Sequence, residues 1–147
     1  MTYITYRFSL CLAMALLPAA ALGAPPAGEP LDPEKAFPVT ARLAAGGVDL
    51  AFRIVEGYYL YADRFRVEAD PGLPVGAALI PKGESKDDPF IGRTEVLRHS
   101  ATVRLPFTGP AKPGTYVVKV TAQGCAEEKV CYAPFTQVVR VRVPAAP

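Results

Sequence analysis

Short runs in which apolar and polar residues alternate constrain this chain more than any other feature. In GVDLAFRIV, Val48, Leu50, Phe52 and Ile54 fall on one side of an extended backbone, and Asp49, Ala51 and Arg53 on the other. RFRVEA repeats the pattern, with Phe65 and Val67 inward against Arg64, Arg66 and Glu68. TVRLPF offers Val103, Leu105 and Phe107, TYVVKVTA offers Tyr116, Val118 and Val120, and TQVVRVRV offers Val139, Val141 and Val143. PGLP and TGPAKPG break the chain between such runs. No segment keeps a 3.6-residue apolar period long enough for a substantial helix, so the body is all-β. Several short strands with turns between them, in roughly 105 residues, predict an antiparallel β-sandwich of immunoglobulin-like type.

The first residues read differently. Arg7 precedes an apolar run from Phe8 to Leu17, followed by Pro18 and small residues through Gly23 and Ala24. That is the pattern of a secretory signal peptide, predicted over residues 1–23. The run is about half the roughly 20 residues that span a bilayer, so the mature chain is expected to be soluble. Prolines at 25, 26, 30, 33 and 38 make residues 24–36 an extended lead-in, and residues 37–147 form one domain. Without Arg7 the chain carries 15 basic and 14 acidic residues and no run of like charge longer than two. This argues against nucleic acid or an anionic membrane as partner.

Cys11 leaves with the signal, which puts the two remaining cysteines, Cys125 and Cys131 of QGCAEEKVCYAP, in an exported, oxidising setting where a pair is by default a disulfide. Closing a loop of about seven residues is worth roughly 2.4 kcal/mol on the chain-entropy estimate, and a bond spanning most of the domain about 2 kcal/mol more. The pair is a weak staple. It lies in one connection at an end of the sheets, where a partner's thiol can approach in line with the bond. A structural clip and a redox pair both fit the spacing. Glu127 and Glu128 disfavour a thiolate and Lys129 favours one. There is no C-x-x-C. His99, in a strand-like surface segment, is the one histidine and leaves a zinc set short of ligands. Both methionines fall in the signal, which removes the usual soft copper ligands. No metal and no cofactor is expected.

Two further stretches stand out. EGYYLYADRF places Tyr59 and Tyr61 on one face by the period of two. KGESKDDPFIGRTEV is polar and flexible apart from Phe90 and Ile91. An aromatic there has to bury itself, either as the anchor of a loop to the core or as a lid on a reactive site.

GYYLY at 57–61, DPFIG at 88–92 with GRTEV continuing it, and above all the GC-x5-CY-x-P segment resemble the N-terminal periplasmic domain of the thiol:disulfide interchange protein DsbD, over roughly Phe37 to Val143. The resemblance implies an immunoglobulin-like domain, acting as a protein-disulfide reductase. It takes electrons from a membrane-embedded thiol reductase and passes them to periplasmic acceptors such as disulfide isomerases and thioredoxin-like proteins, including that of cytochrome c maturation. It casts Cys125 and Cys131 as the redox pair, with Cys131 forming the mixed disulfide. Phe90 becomes the aromatic of a cap loop shielding the sulfurs, Tyr59 and Tyr61 line the site, and Asp88 is the nearby carboxylate. Pro89 stands where the family has a second acid, and Ile91 where it has a second aromatic. The sequence ends four residues after its last strand, so a separate membrane protein is the expected electron donor. The competing expectation is a non-catalytic immunoglobulin-like binding module whose local disulfide pins a loop.

Overall fold

The computed structural model describes residues 28–145. The predicted signal at 1–23 and the start of the lead-in lie outside them. A helical turn, α1 (Pro33–Ala36), precedes β1 (Val39–Ala44), β2 (Gly47–Arg53) and β3 (Tyr58–Tyr61). A 3-10 turn at Ala62–Arg64 then leads to β4 (Arg66–Ala69), β5 (Glu84–Asp88), β6 (Gly92–Leu97) and β7 (Ser100–Pro106). The chain ends with β8 (Gly114–Ala122), β9 (Gly124–Ala126), β10 (Val130–Cys131) and β11 (Phe135–Val143).

Every pairing is antiparallel, and the fold is all-β and immunoglobulin-like as expected. The strands form three sheets, ordered β1-β2-β7, β11-β8-β4 and β10-β9-β3-β6-β5. The alternating residues of the first two meet in one core: Val48, Leu50 and Phe52 of β2, Val103 and Leu105 of β7, Val118 and Val120 of β8, Val141 and Val143 of β11. The period-2 reading of the sequence therefore assigned the inward faces correctly. The third sheet carries the cysteines at one of its ends.

Three local expectations change. The lead-in is not extended to its end: Pro33 sits in the first turn of α1, where a missing N–H costs nothing, and the Asp32 carbonyl accepts from Lys35 N and Ala36 N. Ala36 and Phe37 after it are fully buried. The polar stretch around Phe90 is a hairpin, β5 against β6 in register from Glu84↔Val96 to Asp88↔Gly92, not a loose loop. Its backbone ladder holds it with few apolar side chains, so alternation gave no sign of it. His99 is exposed, as expected, but it occupies a bend with φ 61, where the chain passes from β6 in one sheet to β7 in another. Among the described residues, no helix is long and apolar enough to cross a membrane.

Candidate redox site

QGCAEEKVCYAP folds into a tight hairpin. β9 and β10 pair with Cys131 opposite Cys125, and the turn closes with Lys129 N donating to Ala126 O at 3.1 Å. Glu128 takes φ 59 at that turn. Gly124 is required by close approach: a Cβ there would collide with the Tyr59 carbonyl oxygen of β3. The two sulfurs are bonded to each other.

Sheet order sets what each sulfur meets. β9 lies between β10 and β3, so Cys125 is 1% exposed; β10 is the edge strand, and Cys131 is exposed. Beneath them, Tyr59, Tyr61, Val96 and Cys125 form a small buried cluster separate from the main core. The Tyr59 and Tyr61 rings meet edge to face at 5.4 Å. The Tyr61 hydroxyl donates to Asp88 Oδ2 at 2.8 Å and lies 3.2 Å from Cys125 Sγ and 3.7 Å from Cys131 Sγ. Tyr59 donates to the same carboxylate at 3.2 Å.

Asp88, 4% exposed, is the polar centre of this arrangement. Burial raises its pKa, but the Phe90 N–H, the Tyr61 hydroxyl, the Ile91 N–H and the Tyr59 hydroxyl, all aimed at the carboxylate, bring it below the usual carboxylate value. Burial beside this carboxylate raises both tyrosines, Tyr61 strongly, so they remain neutral donors.

Asp88 Oδ1 also accepts from Phe90 N at 2.9 Å and Ile91 N at 3.3 Å, which pins the tip of the β5–β6 hairpin. With Pro89 on one side and Gly92 at φ 77 on the other, the tip points outward, and Phe90 is 82% exposed. The expectation that this aromatic buries itself is not met: Phe90 stands at the rim of the site. Together with Tyr59, Lys86, Asp88, Glu127 and Cys131 it lines a cleft of about 670 Å³.

The charges of the cysteine hairpin also differ from their sequence reading. Glu127 does not act as a free anion beside the sulfurs. It accepts from Arg98 Nη1 and Nη2 at 2.8 and 2.9 Å and from Lys86 Nζ at 3.0 Å, and these partners hold its pKa down at about 2. Lys86 and Arg98 also lie 5.1 and 5.2 Å from the centre of the Tyr59 ring. Sequence reasoning missed both cations, because nothing in a polar hairpin marks which of its charges turn toward Glu127. Of the residues the sequence singled out, the fold brings Tyr59, Tyr61, Asp88, Cys125 and Cys131 together and leaves Phe90 at the rim.

Residues 27–143 match the family described as "Thiol:disulfide interchange protein DsbD, N-terminal". The chain belongs to the DsbD N-terminal family. DsbD of Neisseria meningitidis serogroup A is 42% identical over 108 residues, covering 74% of this chain and 18% of the relative. DsbD of Ralstonia nicotianae is 39% identical over 140 residues, covering 93% of this chain and 22% of the relative. The chain thus spans about a fifth of the length of these relatives. Among solved structures, the reduced DsbD N-terminal domain of N. meningitidis superposes with TM-score 0.69 at 38% identity, covering 78% of this chain and 91% of that one. A structure of the complex between the DsbD N-terminal and PilB N-terminal domains of the same species superposes with TM-score 0.65 at 37% identity, covering 77% and 88%. The DsbD match begins ten residues before Phe37 and so takes in α1, in keeping with the burial of Ala36 and Phe37.

Proposed function

We propose that the chain is a periplasmic thiol:disulfide relay domain that accepts reducing equivalents from a membrane-embedded thiol reductase and delivers them to thioredoxin-like or disulfide-isomerase acceptors. A cleaved signal over residues 1–23 brings it to the periplasm. The observation carrying this reading is the unequal exposure of a bonded cysteine pair, Cys125 buried and Cys131 open to solvent on an edge strand. In the reducing half-reaction a donor thiolate attacks Cys131 Sγ in line, a mixed disulfide forms, and Cys125 leaves as a thiolate. The donor's second thiol then displaces Cys131 and the donor departs as a disulfide. Two electrons and two protons have moved to this domain. The acceptor half-reaction reverses these steps.

In this scheme Tyr61 hydrogen-bonds the departing Cys125 sulfur, while Asp88 and Tyr59 hold Tyr61 in place. Phe90 stands at the rim of the cleft, beside the open Cys131, and meets the partner first. The decisive experiment replaces Cys125 with serine and recovers partners from periplasm: Cys131 should then hold a donor or acceptor as a mixed disulfide that thiols release. Recovery of no such adduct, together with a reduction potential below about −300 mV for the native bond, would instead mark a structural clip in a binding module.

A further inference from the structure

The segment Leu31–Phe37 lies against the back of the redox hairpin and touches both of its ends. The Leu31 peptide is held from two sides: its N–H donates to the Tyr58 hydroxyl oxygen at 2.9 Å, and its carbonyl accepts from the Tyr132 hydroxyl at 2.6 Å. Tyr132 directly follows Cys131. Phe37, fully buried, stacks on Phe135 at 5.4 Å and meets Tyr58 and Tyr132 edge-on at 5.8 and 6.0 Å. Its ring also closes on Gly124, the residue before Cys125. Tyr132 N donates to Gly124 O at 2.9 Å, and Gln123 Nε2 donates to Tyr132 O at 3.1 Å. At the far end of the segment Gln137 donates to Phe37 O at 2.8 Å and Val55 N to Ala36 O at 3.0 Å.

The strap therefore fixes the residues flanking both sulfurs. A disulfide forms more readily when the chain already holds its two thiols together, and loosening either flank lowers the effective concentration of one thiol at the other. From this geometry we propose that residues Leu31–Phe37 bias the pair toward the disulfide, with Tyr132 and Tyr58 as positioning residues that act through the Leu31 peptide. The proposal rests on the relay reading, since a bond that never opens has no equilibrium to bias.

The test equilibrates the full chain with dithiothreitol buffers, in which two electrons and two protons pass from the reagent to the sulfurs, and reads the oxidised fraction by thiol labelling. Tyr132→Phe should shift the equilibrium about threefold toward the dithiol. Tyr58→Phe should shift it in the same direction, and the double variant should shift it by less than the product of the two, because both hydroxyls hold one peptide. Tyr116→Phe is the control: it removes a hydroxyl bonded to the Lys112 carbonyl, away from the site, and should leave the equilibrium unchanged. Linkage gives a second reading on the native protein, since reduction of the bond should speed hydrogen exchange at the Leu31 amide. A wild-type equilibrium in Tyr132→Phe, an equal shift in Tyr116→Phe, or Leu31 exchange indifferent to redox state each overturns the strap proposal. A native bond that dithiothreitol cannot open in the folded chain overturns the relay reading instead.

Discussion

Tyr61 has one hydroxyl proton and three acceptors within reach. While the sulfurs are bonded, the ionised Asp88 carboxylate at 2.8 Å is the stronger acceptor. In the proposed relay, once a partner captures Cys131, the departing Cys125 thiolate lies where its Sγ already sits, 3.2 Å from the same oxygen, and the proton can turn to it. Tyr61→Phe should therefore slow thiol exchange about tenfold, the equivalent of roughly 1.4 kcal/mol of transition-state stabilisation. Stopped-flow reduction measures this, and an unchanged rate removes Tyr61 from the chemistry. Glu127 governs a different property. Its pKa falls from 4.5 in the unfolded chain to about 2 in the fold, so the stability it contributes is complete above pH 4.5 and is lost as pH falls toward 2. Glu127→Gln should lower the urea midpoint at pH 7 and flatten its decline below pH 4.5; a parallel decline in both proteins would show that Arg98 and Lys86 do not hold the charge.

At the level of elements, the β5–β6 hairpin places a buried, fully bonded side chain, Asp88, and an exposed one, Phe90, within three residues, and the proposed relay gives the first a stability role and the second a contact role. Asp88 satisfies two tip amides and two buried tyrosines. Asp88→Asn exchanges a four-bond acceptor for a group that presents an N–H to donors, and should cost roughly 2 kcal/mol. Phe90→Ala, at a side chain 82% exposed, should change stability by less than about 0.5 kcal/mol yet alter the rate of exchange with a protein partner. Paired denaturation and exchange measurements decide: a large stability loss from Phe90→Ala would mean that the tip packs rather than meets partners. This hairpin was the element least legible in the sequence. ESKDD and the first four residues of GRTEVL are polar on both faces, and the buried apolar side chains, Val96 and Leu97, come at the far end of β6, so little but backbone pairing announces the hairpin. The cysteine hairpin, by contrast, was visible as a motif, although its burial asymmetry was not. That asymmetry follows from β9 lying inside a sheet and β10 at its edge, an order no local pattern encodes.

Across the whole molecule, the main core and the redox cluster share no residue. Most strands of the two packed sheets were readable because apolar residues alternate along them, β1 being the exception, since burial does not alternate strictly along it, while the division into three sheets and the place of α1 depend on contacts distant in sequence. Since the core does not include the sulfurs, replacing both cysteines with serine should leave the domain folded and cost about 2.4 kcal/mol or less, the estimate for closing so short a loop. A chain that unfolds at room temperature after this change would show that the bond holds the fold together, a role incompatible with opening in each cycle. The single exposed sulfur has a further consequence for traffic through the domain. In the proposed relay, one doorway means that donor and acceptor cannot be bound at once; they must alternate, and an excess of either partner competes with the other, so that throughput depends on the number of each weighed against how tightly it binds.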